Sequence, residues 1–189
     1  MNHINMNNGY LELIFGPMFS GKTTTLIQRY KQHKLLGHDI TVINYFQDTR
    51  YAEKGLYSHD GLNIECFQSQ TLQQMIERNR KKIDSCNVII INEGQFFSDI
   101  FETVIDWVEN KEKIVYVCGL DSDFKRNKFG NFLELIPFCD KITKLKSLCM
   151  KCKNGEKALF SKRITSDESQ IVIGSDNYIP VCRKCYLAN

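Results

Sequence analysis

Long hydrophobic segments are missing from this 189-residue chain, since no apolar run approaches the roughly 20 residues needed to span a bilayer. The N-terminal stretch MNHINMNNGY is polar and contains no signal-peptide core. Strong net charge is missing too, because a balance of +3 is too small to indicate a nucleic-acid or membrane surface. There are no internal repeats or low-complexity segments. We therefore expect a soluble, cytoplasmic protein that binds neither membrane nor nucleic acid.

The residues that are present suit a globular protein: 42% are hydrophobic and 25% are charged, which leaves enough apolar material for a core. At this length we expect one main domain with a small appendage. The eight cysteines fall into two groups. Four of them are scattered singly and are interpreted as small buried hydrophobic residues in a chain without an export signal: Cys66, Cys86, Cys118 and Cys139.

Residues 16–23 read GPMFSGKT, after a strand-like run at 10–15 and before a segment of helical composition at 24–36. The stretch fits the pattern G-x-x-x-x-G-K-[ST], in which backbone N–H groups surround a polyphosphate at a helix N-terminus. We expect Lys22 to reach the β- and γ-phosphates and Thr23 to bind Mg²⁺. The alternative is a chance glycine pair before an ordinary helix. The predicted ATP-binding residues of this loop are Gly16, Pro17, Met18, Phe19, Ser20, Gly21, Lys22 and Thr23.

Further strands and helices alternate along the chain. A strand at 40–45 follows the first helix, so the order strand, helix, strand indicates a βαβ unit with parallel strands. The continuous apolar runs 88–91 and 114–118 are typical of parallel strands that are covered on both faces. Helices are predicted at 71–82, which begins with a capping-box pattern, and at 99–110. The pattern as a whole predicts an α/β fold with a parallel sheet flanked by helices.

Polar and aromatic residues follow these buried strands. Glu93 is the only carboxylate at the tip of the strand 88–91, which makes it the candidate general base; an exposed turn residue is the alternative. Phe96, Phe124 and Phe129 follow two neighbouring strands, where they would line a crevice for a planar ligand or belong to the core. Arg50 follows the strand 40–45 and would face either phosphate or solvent.

Two C-x-x-C pairs near the C-terminus contain the other four cysteines: Cys149, Cys152, Cys182 and Cys185. In a chain without an export signal, two such pairs indicate a tetrahedral zinc site, with disulfide or redox chemistry as the alternative. Because four cysteines fill all the positions, the zinc is expected to be structural. Between the pairs, residues 158–160 and 171–173 are predicted strands on either side of a turn at 165–169.

These motifs, in this order, resemble those of the type II thymidine kinases, the family that includes the cellular cytosolic enzyme and its poxviral relatives. The resemblance implies a P-loop (RecA-like) nucleotide-binding α/β domain at 1–146 and a zinc-stapled β domain with a lasso loop at 147–189. It covers residues 9–186 and rests on GPMFSGKT at 16–23, DTRY at 48–51, SHDG at 58–61, EGQFF at 93–97, GLD at 119–121, Phe124, FG at 129–130, CMKC at 149–152, SKR at 161–163 and GSDNYIPVCRKC at 174–185.

The resemblance implies transfer of the γ-phosphate of ATP, with Mg²⁺, to the 5′-hydroxyl of thymidine, and deoxyuridine as a weaker substrate. It makes Glu93 the catalytic base. It implies a homotetramer that is inhibited by thymidine triphosphate. The resemblance also implies five further residues near ATP and Mg²⁺, namely Asp48, Thr49, Arg50, Asn92 and Gln95. The implied thymidine pocket comprises Met18, Phe96, Leu120, Phe124 and Phe129, together with Ser169, Gln170, Ile171, Val172, Ile173 and Tyr178 of the lasso.

One residue departs from the family pattern: the catalytic Glu usually follows an Asp, and here it follows Asn92. A neutral amide supplies one less negative charge to Mg²⁺. Two other function classes remain. A phosphate-loop ATPase with a zinc ribbon that binds nucleic acid is favoured by basic residues around the cysteine pairs and opposed by the small net charge. An inactive nucleotide-binding regulator is suggested only by Asn92.

Overall fold

The computed structural model describes residues 8–46, 55–57, 63–172 and 174–188. Within these residues, six strands form one fully parallel sheet in the order β5-β2-β6-β7-β1-β8. The predicted parallel α/β sheet is therefore confirmed, although β6 and β7 lie between the two strands of the βαβ unit. The strands are β1 (Tyr10–Phe15), β2 (Ile40–Tyr45), β3 (Gly55–Tyr57), β4 (Asn63–Glu65), β5 (Phe67–Ser69), β6 (Val88–Ile91), β7 (Ile114–Gly119), β8 (Lys141–Lys144), β9 (Ser147–Leu148), β10 (Lys157–Ala158), β11 (Phe160–Arg163) and β12 (Tyr178–Val181).

Four α-helices are present among the described residues, and none of them is long and apolar enough to cross a membrane. They are α1 (Lys22–Leu35), α2 (Leu72–Ser85), α3 (Ile100–Ile105), which continues as a π-helical turn at Asp106–Asn110, and α4 (Arg183–Leu187). Short 3₁₀ segments lie at Gly94–Phe96, Phe132–Phe138 and Ser175–Asn177.

Helix ends follow the sequence signals. The helix α1 begins two residues before the predicted start and ends at Leu35. Gly37 follows the C-cap residue Leu36, and its φ of 75° is the left-handed conformation expected after a helix. The His38 N–H donates to the carbonyl of His33, which completes this C-terminal cap. At the start of α2, the hydroxyl of Thr71 accepts the N–H of Gln74, as the capping pattern predicts.

The continuous apolar run of β6 is explained by two cores, one on each face of the sheet. Ile89 and Ile91 belong to the core that the sheet forms with α2 and α3. Val88 and Ile90 face the opposite way and belong to the core against α1. Because successive side chains of a strand alternate between faces, a strand covered on both sides must be apolar at every position.

The C-terminal segment pairs differently from the prediction. The strand β11 pairs antiparallel with β12, so that Arg163 lies opposite Tyr178. The predicted strand at 171–173 is wrong, since Ile171 and Val172 have no strand structure and residue 173 lies outside the described part. The strand β12 takes its place because Val181 is fully buried against the cysteine cluster, whereas Ile171 is half exposed. The division at residue 146 stays a prediction.

A buried ion pair connects β1 to its surroundings immediately before the phosphate loop. Glu12 is 1% exposed and accepts two hydrogen bonds from Arg29 of α1, both 3.1 Å long. Thr143 of β8 donates to the same carboxylate over 2.7 Å, and Lys141 lies 3.3 Å away. Burial alone would raise the pKa of Glu12, but hydrogen bonds from Arg29 and Thr143 and the nearby positive charges hold it below its usual value of 4.5.

We predict that Glu12→Gln lowers the free energy of unfolding at pH 7 by about 3 kcal/mol, because it removes the partner of a largely buried charge. Lys141→Gln is the control and should cost less than about 1 kcal/mol, since its ammonium is largely exposed. Urea denaturation measures both values. Because the folded pKa is depressed, the stabilisation by Glu12 is present above 4.5 and is lost as the pH falls through the folded pKa. If the difference in unfolding free energy between wild type and Glu12→Gln does not shrink as the pH falls below 4.5, this account is contradicted.

Candidate functional site

The phosphate loop joins β1 to α1 at the carboxyl edge of the sheet. Gly21 precedes α1 with a φ of 82°, a left-handed conformation that favours glycine. The ammonium of Lys22 lies over the loop and donates to the carbonyls of Gly16 and Pro17 over 3.2 and 2.8 Å. The start of a 14-residue helix carries partial positive charge, so this end of the site suits a phosphate group.

Glu93 is the second residue after β6 and is largely buried. Its backbone is left-handed, with a φ of 57°, which is uncommon for a residue other than glycine. The side-chain amide of Gln95 donates to the Glu93 carboxylate over 2.6 Å. The oxygen of the same amide accepts the N–H of Leu120 over 3.0 Å. Gln95 therefore connects the carboxylate to the tip of β7, on the next strand of the sheet.

Asn92 is 1% exposed, and both polar atoms of its amide are engaged by neighbouring strands. Its nitrogen donates to the side-chain oxygen of Asn44 in β2 over 2.8 Å. Its oxygen accepts the thiol of Cys118 in β7 over 3.0 Å. The amide thus bridges the tips of β2, β6 and β7.

Aromatic rings gather at the other end of the site. Phe96 stacks on Tyr45 with 4.9 Å between the ring centres, and Phe129 meets Phe96 edge to face at 5.3 Å. Phe97, by contrast, is fully buried in the core. Gly130 has a φ of 63°, and a Cβ atom there would lie 2.0 Å from the carbonyl of Gln95, so a side chain would force this aromatic wall away.

The lasso segment is tied to the loop after β7. The side-chain amide of Gln170 donates to the carboxylate of Asp123 over 3.0 Å. Asp123 is held in turn by the N–H groups of Lys125 and Asn127, at 2.9 and 2.8 Å. The Tyr178 hydroxyl donates to the carbonyl of Val172 over 3.3 Å. These bonds hold the lasso across the aromatic end of the site.

Many of these residues line one open cleft that encloses about 1080 Å³, including solvent at its mouth. Within the described residues, the cleft brings together most of the predicted site, namely Met18, Phe19, Ser20, Gly21, Lys22, Thr23, Glu93, Gln95, Phe96, Leu120, Phe124, Phe129, Gln170, Ile171, Val172 and Tyr178. The predicted residues Gly16, Pro17, Asn92 and Ser169 adjoin these without lining the cleft. The predicted Asp48, Thr49, Arg50 and Ile173, and the SHDG motif, lie outside the described residues.

Several lining residues were not predicted as site residues: Thr24, Tyr45, Ser122, Asp123, Ser161 and Gly174. Tyr45 and Ser122 could have been predicted from the sequence, because Tyr45 is the last residue of β2 and Ser122 lies shortly after β7, where an α/β sheet binds its ligands. Ser161 accepts the N–H of Met18 over 2.9 Å, a contact across 143 residues of sequence. Only the tertiary structure could reveal that contact.

The four predicted zinc ligands come together in the C-terminal segment. The sulfur atoms of Cys149, Cys152, Cys182 and Cys185 all lie within 4.8 Å of one another. Zn–S bonds of about 2.3 Å place tetrahedral sulfurs about 3.8 Å apart, so a small contraction would accommodate zinc. The chemistry of four thiolates also favours zinc over Mg²⁺ or Ca²⁺.

Comparisons of this sequence with a family model and with individual proteins agree on one family. A family model described as thymidine kinase matches residues 9–186. Vaccinia virus (strain Ankara) thymidine kinase is 42% identical over 185 residues, which cover 97% of this chain and 100% of that protein. Variola virus thymidine kinase (isolate Human/India/Ind3/1967) is 43% identical, over 96% of this chain and 99% of that protein. A solved DNA replication initiation factor aligns over 74% of this chain and 41% of its own, with a TM-score of 0.46 and 14% identity.

We predict that the protein binds about one zinc ion per chain and that Cys185→Ser lowers this content several-fold, because it removes one of four thiolate ligands. Elemental analysis of the purified protein measures the zinc. Cys66→Ser is the matched control, because Cys66 lies between β4 and β5, packs against the core on the α1 face of the sheet and is not part of the four-cysteine cluster. Equal zinc in the wild type and in Cys185→Ser would rule out this site.

Proposed function

The chain belongs to the thymidine kinase family, and we propose that it transfers the γ-phosphate of ATP to the 5′-hydroxyl of thymidine. The observation that carries this proposal is one cleft that is lined by the phosphate loop, Glu93, several aromatic residues and described residues of the lasso. Such a cleft suits two substrates that meet at a carboxylate. Deoxyuridine is the expected weaker substrate.

The phosphate end would act through charge and position. Phosphoryl transfer spreads negative charge over the oxygens of the moving group, so fixed positive groups lower the barrier. Lys22 and the N-terminus of α1 are the groups in place for this. The Thr23 hydroxyl lines the cleft beside them and would hold Mg²⁺, whose charge neutralises the phosphates when it is bound.

Glu93 would accept the proton of the 5′-hydroxyl. Gln95 donates to the Glu93 carboxylate over 2.6 Å, which holds this carboxylate in a fixed orientation at the cleft. The lasso would keep water from the reacting groups, because water would otherwise compete with thymidine for the γ-phosphate. The sulfurs of the zinc cluster lie outside this cleft, so the zinc would stabilise the lasso unit without touching the reaction.

Met18 would serve both substrates. Met18 belongs to the phosphate loop, and it lines the same cleft as Phe124 and Tyr178 of the predicted thymidine pocket. Inhibition by thymidine triphosphate, assembly as a homotetramer and cytoplasmic location remain expectations from the family resemblance. The thymidine end and the phosphate loop lie in one cleft, which suits a ligand that combines both groups.

We predict that Glu93→Gln keeps the affinity for ATP and thymidine but lowers kcat about 100-fold or more, because a neutral amide cannot accept the proton. Phosphorylation of labelled thymidine gives kcat, and equilibrium binding gives both affinities. Lys111→Gln is the control, because Lys111 is an exposed lysine that does not line the cleft, and this variant should behave as wild type. Gln95→Glu is unsuitable as a control because it places a second charge beside Glu93.

Turnover of Glu93→Gln at the wild-type rate would refute the base assignment. The same assay with other nucleosides and with DNA tests the function itself. Thymidine monophosphate is the expected product, and ATP hydrolysis that depends on DNA would instead favour the nucleic-acid ATPase. Binding of ATP and thymidine without turnover would favour the inactive regulator.

We also predict that Asn92→Asp increases the apparent affinity for Mg²⁺ several-fold, because it adds a negative charge at the tip of β6. The variant should be less stable than wild type without Mg²⁺ and nucleotide, since the new carboxylate would face the Asn44 oxygen unless that amide turns. Initial rates against Mg²⁺ concentration measure the first effect. Asn92→Ala is the control, because it removes the amide without adding charge. If the initial rates of wild type and Asn92→Asp depend on Mg²⁺ concentration in the same way, the predicted increase in Mg²⁺ affinity is wrong.

A further inference from the structure

Arg163 lies behind the thymidine end of the cleft and is 8% exposed. One terminal nitrogen of its guanidinium donates to the carbonyls of Asp167 and Ser169. The other donates to the carbonyl of Gln170 and to the Tyr178 hydroxyl. All four terminal N–H groups are therefore used, three of them on backbone carbonyls, of which those of Ser169 and Gln170 belong to the lasso.

The same guanidinium packs on the aromatic wall. Its central carbon lies 3.7 Å from the centre of the Phe124 ring and 5.0 Å from that of Tyr178. Phe124, Gln170 and Tyr178 line the cleft, whereas Arg163 is not among its described lining residues. Arg163 thus contacts three parts of the pocket wall from outside: the loop after β7, the lasso and the start of β12.

The strand that carries Arg163 also reaches the phosphate loop. Ser161 lies two residues before Arg163, so both side chains point to the same face of β11. Ser161 accepts the Met18 N–H over 2.9 Å. The intervening Lys162 points away and donates to the carbonyl of Ala188. One face of this short strand therefore contacts both ends of the cleft.

We propose that Arg163 is a positioning residue that sets the shape of the nucleoside pocket before thymidine binds. Residues 169–172 of the lasso have no regular secondary structure and would otherwise lose conformational freedom on binding, so an anchor that orders them in advance improves affinity. Arginine suits the role because its planar group combines four terminal donors with a face that stacks on rings. Lysine has three donors and no such plane. This inference rests on the proposed function for its link to thymidine.

Steady-state kinetics of Arg163→Lys and Arg163→Ala test the inference, with Lys162→Ala as the control on the opposite face of the same strand. We expect both Arg163 variants to raise the KM for thymidine about tenfold, the effect of losing one hydrogen bond to a charged group. The KM for ATP should change less than about twofold. Equal increases in both KM values, or wild-type values in Arg163→Lys, would overturn the proposal.

Hydrogen exchange of the free protein gives a readout that does not depend on catalysis. We expect the amides of 166–172 to exchange about tenfold faster in Arg163→Lys than in wild type, while β1 and β7 keep their protection. Lys162→Ala should match wild type. If the wild type does not phosphorylate thymidine, the proposed function fails, but faster exchange in the variant still upholds the anchor. Unchanged exchange of 166–172 would overturn it.

Discussion

The site depends on the parallel direction of the sheet. Because β1, β2, β6 and β7 run the same way and in register, their carboxyl ends meet at one edge. The residues that follow these ends must then be neighbours, however far apart they lie in sequence. This constraint brings the phosphate loop, Tyr45, Glu93 and Leu120 together, and the two cores on either face of the sheet hold the strands in that order.

The C-terminal segment turns this open edge into a cleft. Ser161 accepts the Met18 N–H of the phosphate loop, and Gln170 donates to Asp123 beyond β7. The segment therefore contacts two of the loops that leave the carboxyl edge of the sheet. A four-cysteine cluster lies at its base, where a zinc ion would compensate for the small amount of apolar surface that such a short segment can bury.

Much of the fold and site could be predicted from local patterns. The phosphate loop, the apolar runs of β6 and β7 and the cysteine pairs each contain their own signal within a few residues. The strand predicted at 171–173 was wrong because short apolar runs occur in loops as well as in strands, and only the pairing of β11 with Tyr178–Val181 separates the two. Asn92 was expected near Mg²⁺, but its bonds to Asn44 and Cys118 required knowledge of the strand order.

The sequence by itself determined the chemistry: a phosphate loop, one carboxylate at a strand tip, aromatic residues near it and four cysteines in metal-binding spacing. These follow from residue type and short-range spacing, which persist whatever the rest of the chain does. The tertiary structure alone decided which of those groups face one another. It placed Gln95 between Glu93 and Leu120 and put Arg163 behind Phe124 and the lasso. Such contacts depend on strand order and loop closure, because packing, and not sequence distance, brings these side chains within hydrogen-bonding reach.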